Sequence, residues 1–437
     1  MTTWRNWAGN QVARGLTAVG EVRSVDDVVA IVGEANRSGR RLKVVGSGHS
    51  FTGVARPEEL VMSLEQYRGI DDVDVEHGTV TVRAGTTIAD LNLLLAGHGL
   101  AMPNLGDVTY QSILGAVSTS THGTGLTLGG LATQVLSFTL VTSSGEVLVC
   151  SREQNVDVWH AGRVSLGALG VVVDVTLRVV PAFTLHAVEY PEKVSEVEAN
   201  FDVNVRENDH FEFYWVPHTK WALTKRNNRS SSAHTARRPV STFWNKIVME
   251  NVAFGAVCKV GKVVPSLIPK LATALPSQGR QERVDASYRI FASKRLVRFC
   301  EMEYSIPLGA LPEALGRVRK MVDDRGFQVS FPVEVRAAKG DDIPLSTAYG
   351  RDSAYVAVHM YRGMDFEPYF REVEKIMVDY GGRPHWGKIH FQDKSSLRPL
   401  YPEFDKFVEL RDRLDPTGMF SNAYLNRVLG RQSGIPD

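Results

Sequence analysis

Several short segments of this chain hold residues whose type and spacing could do chemistry. In Val45-Gly46-Ser47-Gly48-His49-Ser50-Phe51-Thr52-Gly53-Val54, a β-type run, Leu42 to Val45, feeds a glycine turn that carries a histidine. Glycines at 46 and 48 permit backbone angles closed to other residues and let a large planar ligand approach the main chain. A histidine there can act as nucleophile, ligand or hydrogen-bonding group. A turn histidine satisfied by its own neighbours is the plainer alternative. The turn is not the dinucleotide fingerprint G-x-G-x-x-G, because Phe51 stands where that pattern needs a glycine. A second glycine site, Ser118-Thr119-Ser120-Thr121-His122-Gly123-Thr124-Gly125, sets small hydroxyl residues beside glycines. Such a set offers donors without bulk and suits a pyrophosphate, although similar clusters also make ordinary loops. Ser165-Leu166-Gly167-Ala168-Leu169-Gly170-Val171 is a third tight element.

Further along, Glu334 and Arg336 lie two apart on a predicted strand and share a face, with Val333 and Val335 on the other. An acid and a base so placed either pair structurally or address a ligand together. His359 and Tyr361 share a face of the next predicted strand by the same rule. Arg383-Pro384-His385-Trp386-Gly387-Lys388 adds a fixed cation. His385 and His390 have only Asp393 close by and no thiol, so a metal site is not expected.

These residues need a scaffold. Ser24-Val25-Asp26-Asp27 reads as a capping box ahead of a helix through Val28, Ile31, Val32 and Ala35, with Gly39 past its end. Thr79 to Arg83 alternates as a strand, and Thr87 caps a helix, Leu91 to Ala96. Val135 to Thr142 and Glu146 to Cys150 flank the hairpin signal Ser143-Ser144-Gly145. Val171 to Val180 is a long β-branched strand. Later strands are Phe211 to Val216, Val297 to Ile306, Phe327 to Arg336 and Tyr355 to Tyr361. Helices run Leu311 to Asp324 and Phe366 to Tyr380. Strands in series with helices between them predict an antiparallel sheet covered on one side. Residues 218–296 show little pattern and read as loop and helix over the site. The basic stretch from Lys225 to Arg229, with Ser230 to Ser232 and Arg237-Arg238, reads as a solvated, mobile loop.

The chain has 437 residues, which points to two domains. Its formal net charge is +1 with no large basic face, so nucleic acid is not an expected partner. Three widely spaced cysteines, Cys150, Cys258 and Cys300, give neither a disulfide framework nor a zinc pattern. No apolar run reaches the roughly 18 residues of a membrane helix, and the N-terminus lacks a signal-peptide core. A soluble cytoplasmic protein is the expectation. The segment Val252 to Leu275 is apolar but interrupted by lysines and prolines, so peripheral contact with a membrane stays open.

Ser47-Gly48-His49-Ser50, the two later glycine sites in their order, Glu334-Val335-Arg336 and His385-Trp386-Gly387-Lys388 together resemble the vanillyl-alcohol-oxidase type of FAD oxidoreductases, in particular the sugar-1,4-lactone and alditol oxidases. That resemblance implies an α+β, two-domain PCMH-type FAD-binding fold with an antiparallel-sheet substrate (cap) domain. Its boundaries would be a FAD domain at 1–182, a cap at 183–395 and a tail, 396–437, returning to the FAD domain. It implies FAD bonded covalently through His49, with cofactor contacts from Ser47, Gly48, Ser50, Ser118, His122, Gly123 and Gly170. Gly106, in Asn104-Leu105-Gly106-Asp107, would leave the reactive edge of the flavin open to oxygen, although a plain turn glycine fits equally. Lys388, Arg336 and Glu334 would be catalytic, and Asp107, His359 and Tyr361 would bind substrate. The implied reaction is oxidation of a sugar-derived secondary alcohol by hydride transfer to flavin N5, with dioxygen giving hydrogen peroxide. Asp107 and Tyr361 depart from the alditol oxidases, which have serine and threonine there. Both changes favour a compact ring such as L-gulono-1,4-lactone over an open-chain polyol. The alternatives are an alditol (xylitol or sorbitol) oxidase, or a lactone dehydrogenase that passes electrons to a quinone, cytochrome or artificial acceptor.

Overall fold

Residues 1–232, 254–274, 279–292 and 297–432 are described by the computed structural model. The capping box at Ser24 is present: its hydroxyl accepts from Asp27 N, and the Asp27 carboxylate accepts from Ser24 N. The helix it starts, Val25–Ser38, ends on Gly39 in the left-handed conformation and buries Val28, Val32 and Ala35. It precedes strand Leu42–Val45, which pairs in parallel with Leu60–Ser63 in a four-stranded sheet completed by Val12–Ala18 and Thr2–Arg5. A second, five-stranded antiparallel sheet runs in the order Ile70–Asp74, Thr79–Arg83, Val171–Arg178, Val135–Val141, Val147–Ser151. The predicted hairpin around Ser143-Ser144-Gly145 joins its last two members. Ala13, Leu16, Val45 and Val61 form a small core of their own, and the other elements share one large apolar core with the helix Ile88–Gly97.

The remaining large sheet has eight antiparallel strands. Their order is Gln281–Ala286, Thr184–Lys193, Trp221–Ser230, His210–Trp215, Val333–Ala338, Ser353–Tyr361, Phe299–Pro307, Arg383–Pro384. Helices Leu311–Arg325 and Glu367–Asp379 cover one of its faces through Phe213, Val335, Val356, Val358 and Met302. Alternation along each strand then sends Glu212, Glu301, Glu303, Glu334, Arg336 and His359 to the opposite face. The tail returns to the first sheet: Leu42 N donates to Met419 O, and the Asn422 amide donates to the Gly53 and Arg56 carbonyls.

Two expectations need correction. The stretch from Lys225 to Ser230 is no mobile loop; it belongs to strand Trp221–Ser230, paired on both sides within the large sheet. Its polar residues are satisfied there, Arg226 by Glu192 at 2.9 Å and over the Tyr190 ring, and Lys225 by Glu212 at 2.9 Å. The described residues between 218 and 296 therefore contribute two strands, 221–230 and 281–286, besides helices. Arg237 and Arg238 lie outside the described residues. The strand read as Phe327 to Arg336 begins only at Val333. Among the described residues, no helix is long and apolar enough to cross a membrane.

Candidate active site

The turn after Leu42–Val45 has little freedom in its choice of residues. A Cβ on Gly46 would come within 2.4 Å of Ser112 Oγ, and Gly48 has φ +69°. The N-terminal segment holds the turn in place: Trp7 N donates to Gly48 O at 2.8 Å, and the Asn6 amide donates to Ser50 O at 3.0 Å. The Trp7 indole stacks on the His49 ring, with centroids 5.8 Å apart.

His49 and Ser50 line two cavities. The larger, about 350 Å³, runs along Gly46, Ser47, Gly48, Ser112, Ser118, Thr119, Gly167 and Gly170. Gly170 has φ +148° and no room for a Cβ, which would meet Val141 O at 2.5 Å. The wall mixes glycines and small hydroxyls with aliphatic side chains such as Val44, Leu114 and Leu166 and carries few charges, a lining that accepts a long group with both apolar and pyrophosphate parts. The smaller cavity, about 60 Å³, is bounded by Trp7, Phe51, Tyr110, Phe299, Glu301, His385 and Lys388. One histidine therefore stands between a dinucleotide-sized groove and a small polar chamber. Burial, with the Lys388 charge beside it, brings the His49 pKa down to about 4. At neutral pH its imidazole is uncharged and keeps a lone pair for bond formation.

The charged face of the large sheet closes the chamber. Lys388 Nζ is 2.5 Å from Glu301 Oε2, and His359 Nε2 is 3.5 Å from Glu301 Oε1. His359 Nδ1 lies 3.0 Å from Pro332 O. Burial opposes the Lys388 charge, but Glu301 and Glu303 outweigh it and hold the ammonium above its ordinary pKa. Burial likewise opposes ionisation of Glu301, and Lys388 and His359 nevertheless bring it to about 2. The chamber thus holds a permanent cation.

A second cluster lies on the neighbouring strands. Arg336 Nη2 is 2.5 Å from Glu334 and 3.5 Å from Asp107, and Arg336 Nε donates to Glu212 at 2.8 Å. Cross-strand register makes this cluster: Glu334 stands opposite Tyr214, and Glu212 opposite Lys225. Glu334 and Arg336 do not line the small cavity; they are buried beside it, and Glu334 acts electrostatically on Lys388.

Other expected site residues sit differently. His122 is absent from the lining of the large cavity. Its ring stacks on Tyr355 at 3.5 Å, with Nδ1 2.8 Å from Gly123 O and Nε2 3.3 Å from Glu303. Gly123 packs under Asn104 and Leu105, where a Cβ would meet both within 2.4 Å. The loop they belong to links the two halves, since Gly125 N donates to Ala337 O and Thr124 Oγ1 to Phe211 O. Tyr361 is half-buried and packs on the apolar core of the large sheet, lining neither cavity. Trp7, Tyr110, Glu212, Lys225, Phe299, Glu301 and Glu303 join the site without having been singled out in the sequence. For Glu301 and Glu303 a signal existed: Phe299-Cys300-Glu301-Met302-Glu303-Tyr304 alternates with period two.

A long groove meets a charged chamber at one histidine, under an antiparallel sheet, and the similarity to known proteins assigns this arrangement to the flavin-dependent oxidoreductases with a PCMH-type fold. Solved structures carry the same fold: cholesterol oxidase from B. sterolicum superposes with TM-score 0.83 over 98% of this chain and 96% of that one, at 19% identity. Residues 17–151 match the family described as FAD binding domain, and residues 175–428 match D-arabinono-1,4-lactone oxidase. Relatives cover nearly the whole chain. An L-gulono-1,4-lactone dehydrogenase of Mycobacterium tuberculosis is 43% identical over 98% of this chain and 99% of its own length. An L-gulonolactone oxidase of Bos taurus is 36% identical over 93% of each. The chain belongs to the D-arabinono-1,4-lactone oxidase family of FAD enzymes that act on CH–OH groups.

Proposed function

We propose that this protein oxidises a ring-borne secondary alcohol of an aldono-1,4-lactone, with L-gulono-1,4-lactone as the first choice, and that residues 1–182 with 396–437 hold FAD while 183–395 hold the substrate. The single observation that carries the reading is the placing of His49 and the Lys388–Glu301 pair in the wall of one small chamber. The names of the relatives at 43% and 36% identity support the lactone; no relative among them points to an alditol. FAD, when bound, supplies the two-electron acceptor for the hydride leaving the carbinol carbon. The chain's own groups do the rest. Lys388 Nζ holds positive charge where the substrate oxygen gains negative character as its proton passes to the Glu301 carboxylate in the chamber wall. Arg336, held by Glu212, Glu334 and Asp107, donates to the substrate oxygen. Glu334 and Asp107, fixed by that guanidinium, accept hydrogen bonds from ring hydroxyls. Trp7, Phe51 and Phe299 keep the chamber dry. The test is a panel of aldonolactones and polyols read by bleaching of the flavin; bleaching by xylitol with none by any lactone would refute the assignment.

His49 is assigned as the point of covalent attachment. Its neutral ring and its place in both cavities support this. His49→Ala is expected to release all its flavin into the supernatant on acid precipitation, whereas the parent protein keeps its colour in the pellet. A colourless parent pellet would remove the linkage.

Dioxygen is assigned as acceptor on the absence of a side chain at Gly106. A Cβ there would come 3.1 Å from His122 O and 3.6 Å from Thr121, tight but not prohibitive. Gly106→Ala should therefore fold, and it should slow flavin reoxidation by air while leaving reduction by lactone and turnover with an artificial acceptor close to the parent values. Stopped-flow reoxidation measures this, and an unchanged rate would leave a dehydrogenase with a protein or quinone acceptor as the better account.

A further inference from the structure

The segment 254–274 takes no part in the chemistry above, yet it is built in an unusual way for a surface. Helix Phe254–Val263 runs through a short 3-10 turn, Pro265–Leu267, into helix Ile268–Ala274. One side is anchored: Phe254 packs edge-on against Phe331 with ring centroids 4.8 Å apart, Cys258 is fully buried, and Gly261 lies against Ile268. The other side is apolar and open to solvent. Val260, Val263, Val264 and Leu267 are 45%, 80%, 41% and 37% exposed, and they gather at the end of the first helix and in the turn that follows it. These four come from eight consecutive residues; the other exposed large apolar side chains of the described residues are spread along the rest of the chain. Lys259, Lys262 and Lys270 lie among or near them in sequence, and residues 254–274 contain no Asp or Glu.

An exposed apolar patch costs solubility and calls for an occupant. The flanking charge selects which. Lysines bury their alkyl stems beside apolar neighbours and lift their ammonium groups to a polar, anionic layer. Short exposed aliphatic residues with lysines among them and no acid within residues 254–274 match the interface of a bilayer that carries anionic headgroups. The contact also lies close to the site, since Phe331 packs on Phe299, which lines the substrate chamber.

We propose that residues 254–274 dock this enzyme peripherally on an anionic lipid surface, with Val260, Val263, Val264 and Leu267 entering the headgroup boundary and Lys259 and Lys270 facing anionic headgroups, while Lys262 is turned to Arg362 O. The test is sedimentation of the holoenzyme with vesicles of phosphatidylglycerol or of phosphatidylcholine. Binding to phosphatidylglycerol is expected to be about tenfold tighter or more, and to weaken as salt is raised. Val263→Asp and Leu267→Asp, both at solvent-exposed positions, should each lower that binding about tenfold. Lys259→Glu with Lys270→Glu should abolish the preference for phosphatidylglycerol. All variants should keep the parent's flavin spectrum and lactone turnover in lipid-free buffer. Equal binding to both lipids, or Val263→Asp binding like the parent, would overturn the proposal. So would a fall in molecular mass of Val263→Asp in lipid-free solution, which would make the patch a contact between copies. Sedimentation does not depend on turnover, so this proposal and the lactone reading stand or fall separately.

Discussion

Replacing Lys388 by methionine is expected to slow reduction of the bound flavin by lactone about 10²–10³-fold, the effect of removing one preorganised donor of charge, or about 2.7–4 kcal/mol. The magnitude follows from orientation. Lys388 and Glu301 form a close ion pair, which alone would nearly cancel its own field. The two ends are not equally placed, however: the lysine side chain is 22% exposed and the glutamate 8%. Both ends line the chamber, and the positive end is the more exposed of the two. A substrate oxygen gaining charge meets the cation first.

The same substitution strips Glu301 of its main partner, so a lower rate could reflect a damaged fold. A second variant separates the two. Removing one member of a buried pair costs about 3–5 kcal/mol because the other charge stays desolvated. Adding Glu301→Gln to Lys388→Met removes that charge and should recover most of the lost stability while leaving reduction slow. The pH dependence should follow. In the parent, Glu301 has its pKa lowered to about 2, below the unfolded value, so its stabilisation is present above the unfolded pKa and is lost as pH falls through the folded one. In Lys388→Met burial dominates and the carboxyl pKa rises above the unfolded value. That variant should gain stability relative to the parent as pH falls from 8 towards 5. Thermal melts over that range measure it. Recovery of the rate in the double variant, or parallel melting curves for parent and Lys388→Met, would contradict this role.

The parts of the site legible in the sequence were those with a local cause. Gly46 and Gly48 announced a close approach of the backbone because a Cβ at 46 would collide with Ser112 and φ +69° at 48 favours glycine. Glu334 and Arg336 announced a shared face because period two is intrinsic to a strand. What escaped was fixed by register between distant strands. Nothing within Trp221–Ser230 says that Lys225 will stand opposite Glu212, and its run of arginines and asparagines imitates a solvated loop until the partners Glu192, Tyr190 and Glu212 are in place. Trp7 escaped for the same reason: its contact with His49 depends on the first strand folding back along the flavin turn. His122 looked like a phosphate contact because of its glycine neighbours, and Glu303, far along the chain, claims one of its ring nitrogens instead.

Arg336→Met should have the larger effect on the protein as a whole. Around this guanidinium stand Glu334, Glu212 and Asp107, with Lys225 as the second cation. Three carboxylates facing two cations become three facing one. Burial opposes the charge on Glu212, and only Lys225 and Arg336 bring its pKa to about 2. Without Arg336 the buried carboxylates outnumber the cations further, and at least one carboxyl must take up a proton or stay charged at a cost of about 3–5 kcal/mol. Each unit of upward pKa shift is worth about 1.4 kcal/mol. A raised folded pKa gives stability that is present below the unfolded pKa and lost as pH rises through the folded value. The variant should therefore melt well below the parent at pH 8 and approach it at pH 5. Lactone turnover at pH 5, where the fold is kept, should still be about 10²–10³-fold down in kcat/KM, because the donor to the substrate oxygen is gone. Arg336→Lys separates charge from shape: one ammonium restores part of the melting temperature but cannot bridge Glu334 and Glu212 with a rigid fork, so KM should stay high. If Arg336→Met melts like the parent at both pH values, the cluster is not held by its charges, and Arg336 would act on the substrate alone.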